Sequence, residues 1–174
     1  MGYDKFLELM SAHDTELSKA RKFNTLDECI GHQFPVISQL AKITQDYESA
    51  VWLWACVCAI HRRGGGGPDK YLNKSQELAA AWGKIANTAG ANAFNGHKQR
   101  FENWLKAESW EVFYQNTLRF LELVRVKEQR FTLESLYLIA IDRAAYVNGA
   151  DNKKPVIQTF RGKQGMLFVT ANGS

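Results

Sequence analysis

Residues 50–60 read Ala-Val-Trp-Leu-Trp-Ala-Cys-Val-Cys-Ala-Ile, a run without a single charged side chain. With Asp46 ahead of it as a cap and His61-Arg62-Arg63 behind it, this run predicts a helix that is apolar on every side. Such a helix cannot lie on a surface and has to be enclosed by others. It is also well short of the roughly 20 residues that cross a bilayer. The N-terminal residues Met-Gly-Tyr-Asp-Lys-Phe-Leu-Glu contain no apolar stretch of a secretory signal. The Cys count is three, and two of them, Cys56 and Cys58, sit inside the apolar run. Reduced thiols and a cytoplasmic protein are expected.

The rest of the chain supplies the enclosing elements. Tyr3, Phe6, Leu7, Met10 and Leu17 recur at helical spacing. Thr25-Leu26-Asp27-Glu28 is a capping-box pattern, with Gly31 as a stop. Pro35 suits the first turn of a further helix burying Val36, Ile37, Leu40 and Ile43. Gly64 to Gly67 followed by Pro68 predict a linker. Asn73 or Ser75 then caps a helix reaching Thr88, with Leu78, Ala79, Trp82, Ile85 and Ala86 inward. Residues 89–96 are expected as a second flexible connection. Helices follow over 97–107 and 109–125, with Phe101, Trp104, Leu105, Val112, Phe113, Leu118, Leu121 and Val124 in the core. Thr132 caps another, which buries Leu133, Leu136, Tyr137, Ala140, Ile141 and Ala144 and ends at Asn148-Gly149. A short basic helix is expected over 154–162. Met166 to Val169 fit either a docked strand or a disordered end.

No βαβ rhythm and no internal repeat appears. At 174 residues and 45% hydrophobic, the chain can bury a core without disulfides or metal. The expectation is an all-α compact bundle of about six to eight helices, with room for two helical lobes. It forms one domain over 1–162, with flexible loops near 62–74 and 89–96 and a C-terminal tail over 163–174.

Little points to catalysis. The four His (13, 32, 61 and 97) are scattered, and none has the spacing of a helical zinc pair. Cys56 and Cys58 lie about 200° apart round a helix, so they cannot hold one metal. Gly64–Gly67 follow a helix instead of a strand and lack the Lys-Ser/Thr of a phosphate loop. No nucleophile–base set can be assembled, so neither an enzyme nor a cofactor is expected.

The charge distribution says more. The net charge of +4 divides into an acidic front and a basic remainder. Residues 1–60 hold five Lys/Arg against eight Asp/Glu, and residues 61–174 hold seventeen against ten. Clustered Arg and Lys suit phosphate oxygens without reading sequence. Arg62 and Arg63 at the glycine run, and Lys153, Lys154 and Arg161 near the C-terminus, are candidates by clustering. Trp110 and Phe160 are the aromatic residues placed to stack on bases. On residues alone, a free-standing helical nucleic-acid-binding accessory protein and a protein-interaction adaptor stay open.

A resemblance narrows this. Arg100-Phe101-Glu102-Asn103-Trp104-Leu105-Lys106-Ala107-Glu108 resembles the R-F-x-x-L-L-x-A-D/E signature of CasB, the small subunit of the type I-E CRISPR Cascade complex. Thr117-Leu118-Arg119-Phe120-Leu121-Glu122-Leu123-Val124 resembles the family's L-R-x-x-v-x-L-l helix. Phe131 to Ile141 resembles its aromatic-then-LL.DLl helix, and Ala20-Arg21-Lys22-Phe23 sits where the family carries L-R-R. The family's late W-x-x-x-F/Y pattern is represented only by Phe160. The resemblance implies a non-catalytic all-α subunit in an RNA-guided antiviral complex. Its implied partners are the backbone and large subunits, a second copy of itself, guide RNA, and target and displaced DNA. It implies R-loop stabilisation and no membrane. By position, Arg21, Lys22, Arg100, Lys106 and Arg119 fall on the family's basic residues.

Overall fold

The computed structural model describes residues 2–18, 20–64 and 76–171, with the side chains of residues 18 and 62–64 outside that description. Among the described residues there are nine α-helices and no strand. The all-α architecture is as expected, and the ninth helix comes from the supposed tail. The buried apolar side chains form one continuous cluster.

α4 (Tyr47–Gly64) is the axis of the bundle. Every side chain from Ala50 to Ile60 is at most 6% exposed. Asp46 caps it, its Oδ2 accepting from the Ser49 N–H at 2.8 Å. Around it pack α2 (Asp14–Ser18), α3 (Leu26–Thr44), α7 (Trp110–Val126) and α8 (Leu133–Val147). α1 (Gly2–Ala12) lies against α3 and buries Phe6, Leu9 and Met10. Leu7, expected inward, points out, and Leu9 takes the inner position.

In α3 the Thr25 Oγ1 accepts from the Glu28 N–H at 3.1 Å. The Glu28 carboxylate reaches back to the Asn24 N–H at 3.0 Å, one residue earlier than a standard capping box. Gly31 does not stop this helix. The break comes at Gln33 (φ −127°, ψ 21°), because Pro35 has no N–H for the Gly31 carbonyl and the chain must bend ahead of it.

The second half packs as α5 (Leu78–Thr88), α6 (Ala91–Leu105), α7 and α9 (Phe160–Thr170). Asn73, Ser75 and most of the expected 62–74 loop lie outside the described residues. α5 begins on Glu77, which makes no side-chain cap bond; instead Ser135 of α8 accepts from the Leu78 N–H at 2.9 Å. Residues 91–96 are not a flexible connection. Gly90 turns the chain at φ 90°, and α6 starts immediately after it, favoured by Ala91 and Ala93 as strong helix formers. Thr132 caps α8 as expected, accepting from Ser135 N at 3.2 Å, and Ser109, expected as the first residue of its helix, is instead the cap of α7, accepting from Val112 N at 3.1 Å. Val112, expected in the core, is exposed, while Ile43, Leu118, Leu121 and Ile141 are half-buried.

The 163–174 segment is the largest departure. A 3-10 turn (Val156–Gln158) leads into α9, capped by Thr159 Oγ1 accepting from Gly162 N at 3.1 Å. Phe160, Gln164 and Phe168 recur every fourth residue and face inward. The apolar block 166–169 hid this stripe, because Met166 and Val169 face solvent. α9 lies close on α5: a Cβ on Gly83 would collide with the Phe168 carbonyl oxygen. Phe168 stacks on Phe101 at 4.2 Å.

Thr117 of α7 ties the centre together. Its Oγ1 accepts from the indole N–H of Trp104 at 2.9 Å and of Trp52 at 3.4 Å, and its own hydroxyl donates to the Phe113 carbonyl at 2.6 Å. Replacing Thr117 by the isosteric valine leaves both indole donors buried without a partner. Thr117→Val is expected to lower unfolding free energy by about 2–3 kcal/mol, seen as a lower urea midpoint at unchanged slope.

Candidate nucleic-acid interface

α6 and α7 are joined by the short turn 106–109, and their outer edges carry the cations. Arg100 of α6 and Arg119 of α7 line one cleft of about 280 Å³, together with Trp82, Asn103, Asn116 and Phe120. Arg119 also lines a second, larger cavity of about 420 Å³, where it meets Lys22 and Arg125. It therefore stands on the shared edge of the two, and the cations Arg100, Arg119 and Lys22 follow one another across the surface. Among the described residues, Arg119 and Lys22 make no hydrogen bond or ion pair.

Lys106 does not join them. Six residues after Arg100 is about 240° round the helix, and Lys106 is an exposed C-cap that lines neither cavity. Arg21 is engaged locally: it pairs with Glu28 at 2.8 Å, bonds His32 Nε2 at 2.9 Å and lies 5.7 Å from the Phe23 ring centre. Arg62 and Arg63 belong to the last turn of α4, and their side chains lie outside the described residues. Lys153 and Lys154 are exposed between α8 and the 3-10 turn, and Arg161 lies 4.7 Å over Tyr146. These three line neither cavity. Trp110 and Phe160, the stacking candidates, are both buried. Trp110 lies under Arg143, and Phe160 packs on Trp104 and Phe113 at 5.8 Å each. Neither presents a face to a base.

Arg100 is held by His97, whose Nδ1 lies 3.2 Å from Arg100 Nη2. Burial lowers the His97 pKa, and Arg100 and Lys127 lower it further. The neutral ring can thus accept a bond from the guanidinium without repelling it.

Two arginines were missed by the sequence reading. Arg125 is gripped by Glu122 through two bonds at 2.8 and 3.2 Å; the Glu122–Arg125 spacing of three, one helical turn, was the available signal. Arg143 is fully buried and belongs to the stripe of Leu136, Ala140 and Ala144. Its guanidinium lies 4.2 Å over Phe113 and 5.0 Å over Trp110, and it donates to the Ala107 carbonyl at 2.8 Å and the Ser109 carbonyl at 3.4 Å. Burial lowers its pKa to about 10, so it stays charged at neutral pH. Among the described residues it forms no salt bridge; the aromatic faces, the carbonyls and the more distant charge of Glu48 offset its own. By holding the Ala107 and Ser109 carbonyls it ties the turn between α6 and α7 to α8.

Among the described residues, no cysteine or histidine lines either cavity. Cys29, Cys56 and Cys58 are buried free thiols, all raised by desolvation, Cys29 to about 12, so none forms a thiolate nucleophile. Among the described residues no group of His, Cys, Asp and Glu could hold a metal ion. Among them too, no helix is long and apolar enough to cross a membrane.

The sequence matches the family model of the CRISPR-associated protein Cse2 over residues 11–139. Comparison with curated proteins and with solved structures gives no match. The matched span contains Lys22, Arg100, Arg119 and both cavities, whereas α9 lies beyond it.

The histidines make stability depend on pH. Burial lowers both His61 and His97 below the usual 6.5. As pH falls through that value the unfolded chain takes up protons first, so the stability present above it is lost below. The melting temperature is expected to fall between about pH 7 and about pH 5.5, and to fall less in a His61→Gln, His97→Gln double variant.

Proposed function

Because this chain belongs to the Cse2 family, the small subunit of the type I-E Cascade complex, we propose that its Arg100–Arg119–Lys22 track holds nucleic-acid backbone in the assembled complex and stabilises the displaced strand of the R-loop. The Cse2 family is a structural Cascade subunit, and its partners include other Cascade subunits. The observation that carries the reading is the meeting of Arg100 and Arg119 in one cleft from two different helices, with Arg119 continuing toward Lys22. Guanidinium forks match phosphate oxygens and bind backbone without reading bases.

The energetics favour a modest binder. An R-loop exchanges one duplex for another of similar stability, so a few backbone contacts tip the balance. A net charge of +4 gives weak binding to the isolated subunit, and assembly supplies the rest through effective concentration. In this reading the subunit performs no chemistry and works in the cytoplasm. Guide RNA, target DNA and a second copy of the chain are its neighbours. Lys106, Arg21, Arg62, Arg63, Lys153, Lys154 and Arg161 contribute outlying charge.

The test is an Arg100→Ala, Arg119→Ala double variant in the reconstituted complex. Assembly by size-exclusion chromatography should be unchanged. Target-DNA affinity should fall on the order of tenfold, and the salt slope should drop by roughly 1.4–1.8 for two lost phosphate contacts. Unchanged R-loop formation at physiological salt refutes the reading.

A further inference from the structure

The larger cavity has features that phosphate binding alone does not use. It opens between the C-terminal part of α4, the outer edge of α7 and Phe131, and has a volume of about 420 Å³. Ile60, Leu118, Leu121, Val124 and Phe131 line it with apolar surface. Leu118 and Leu121 are only half-buried, so part of that surface is left uncovered by the bundle. Among the described residues its charged lining holds three cations, Lys22, Arg119 and Arg125, and one carboxylate, Glu122. Arg125 pairs with Glu122 at 2.8 Å, while Lys22 and Arg119 make no ion pair among the described residues.

We propose that this cavity receives one unstacked nucleobase of the displaced DNA strand, whose adjoining phosphates lie on Lys22 and Arg119. The inference rests on the backbone-binding reading above and adds a base-holding site to it.

Charge complementarity selects this occupant. The ligand must bring a flat or compact apolar group and, beside it, negative charge. A nucleotide has both on one unit: a base with two apolar faces, and a phosphate one sugar away. A neutral apolar side chain from a protein partner would fill the floor and leave Lys22 and Arg119 uncompensated. Continuity supports the same choice. Arg119 forms the edge shared with the Arg100 cleft, so a strand laid along Arg100 and Arg119 passes the mouth of the cavity. The size lies within the range of pockets that take small organic ligands. A base in a duplex cannot leave its stack without losing its pair, whereas a single strand turns its bases out readily. Gln115, also in the lining, donates through its amide nitrogen to the Asn24 carbonyl at 2.6 Å and to Glu111 Oε2 at 2.8 Å. What it has left to offer is its carbonyl oxygen, an acceptor suited to the exocyclic amine of a base.

The experiment uses the assembled complex and target duplexes in which single nucleotides of the displaced strand are made abasic, one position at a time. One or a few positions should lower affinity about 5- to 100-fold, the range of lost base contacts. With intact DNA, Leu118→Trp, which fills the cavity, should give a similar loss and abolish the sensitivity to those positions. Photo-crosslinking of 5-iodouracil at the sensitive positions to the unaltered subunit, which needs no variant, should map to α7 or Phe131. A flat abasic scan, or crosslinks elsewhere, overturns the proposal. So does a Leu118→Trp variant that folds but no longer joins the complex while the scan is flat; a protein neighbour then occupies the cavity. If Arg100→Ala with Arg119→Ala weakens binding and the scan is flat, the base site alone falls. If neither has an effect, the backbone reading falls with it.

Discussion

A helix without a solvent face dictates the arrangement of everything near it. α4 buries all of 50–60, so helices must stand on every side of it. α3, α7, α8 and the short α2 do so. Each gives α4 an apolar face, and α3, α7 and α8 in turn pack on further helices. Close packing of Trp52, Trp104 and Phe113 fills the middle, with centroids 5.2 Å apart for Trp52–Phe113 and 5.0 Å for Trp104–Phe113. Large aromatic side chains bury much area, but their indole N–H groups need partners. The single hydroxyl of Thr117 meets that need for two of them. One small polar group thus allows two tryptophans at the heart of the bundle.

α7 connects this core to function. Its inner face carries Phe113, Thr117, Phe120 and Val124; its outer edge carries Arg119 and the half-buried Leu118 and Leu121. Arg143 of α8 holds the turn between α6 and α7 by the carbonyls of Ala107 and Ser109. A leucine there could pack against Trp110 and Phe113, but it could not bond the carbonyls of the turn. The buried cation therefore links α8 to the turn between the helices that carry Arg100 and Arg119.

Caps and stripes were legible in the sequence because each involves residues within four positions of one another. Thr25, Asp46 and Thr132 cap their helices as read, and the inward faces of α5 and α8 follow from spacing. The failures have particular causes. Residues 91–96 look like a linker by composition, yet Ala91 and Ala93 favour a helix once Gly90 has turned the chain. The α9 stripe was masked by apolar neighbours that face solvent. Trp110 and Phe160 seemed free to stack because their neighbours in sequence are charged, but their neighbours in space are Arg143, Trp104 and Phe113.

The apolar run at 50–60 by itself determined that this chain is a helical bundle built round an enclosed helix, and the 100–109 signature pointed to its family. Which cations meet was decided only by the tertiary structure. Arg100 and Arg119 are nineteen residues apart on different helices, while Lys106, nearer in sequence to Arg100, is turned away from it. Helical phase is a local property, fixed by hydrogen bonds between near neighbours. Arg100 and Arg119 share a cleft through the packing of α6 on α7 and of both on α5, and no local pattern records it.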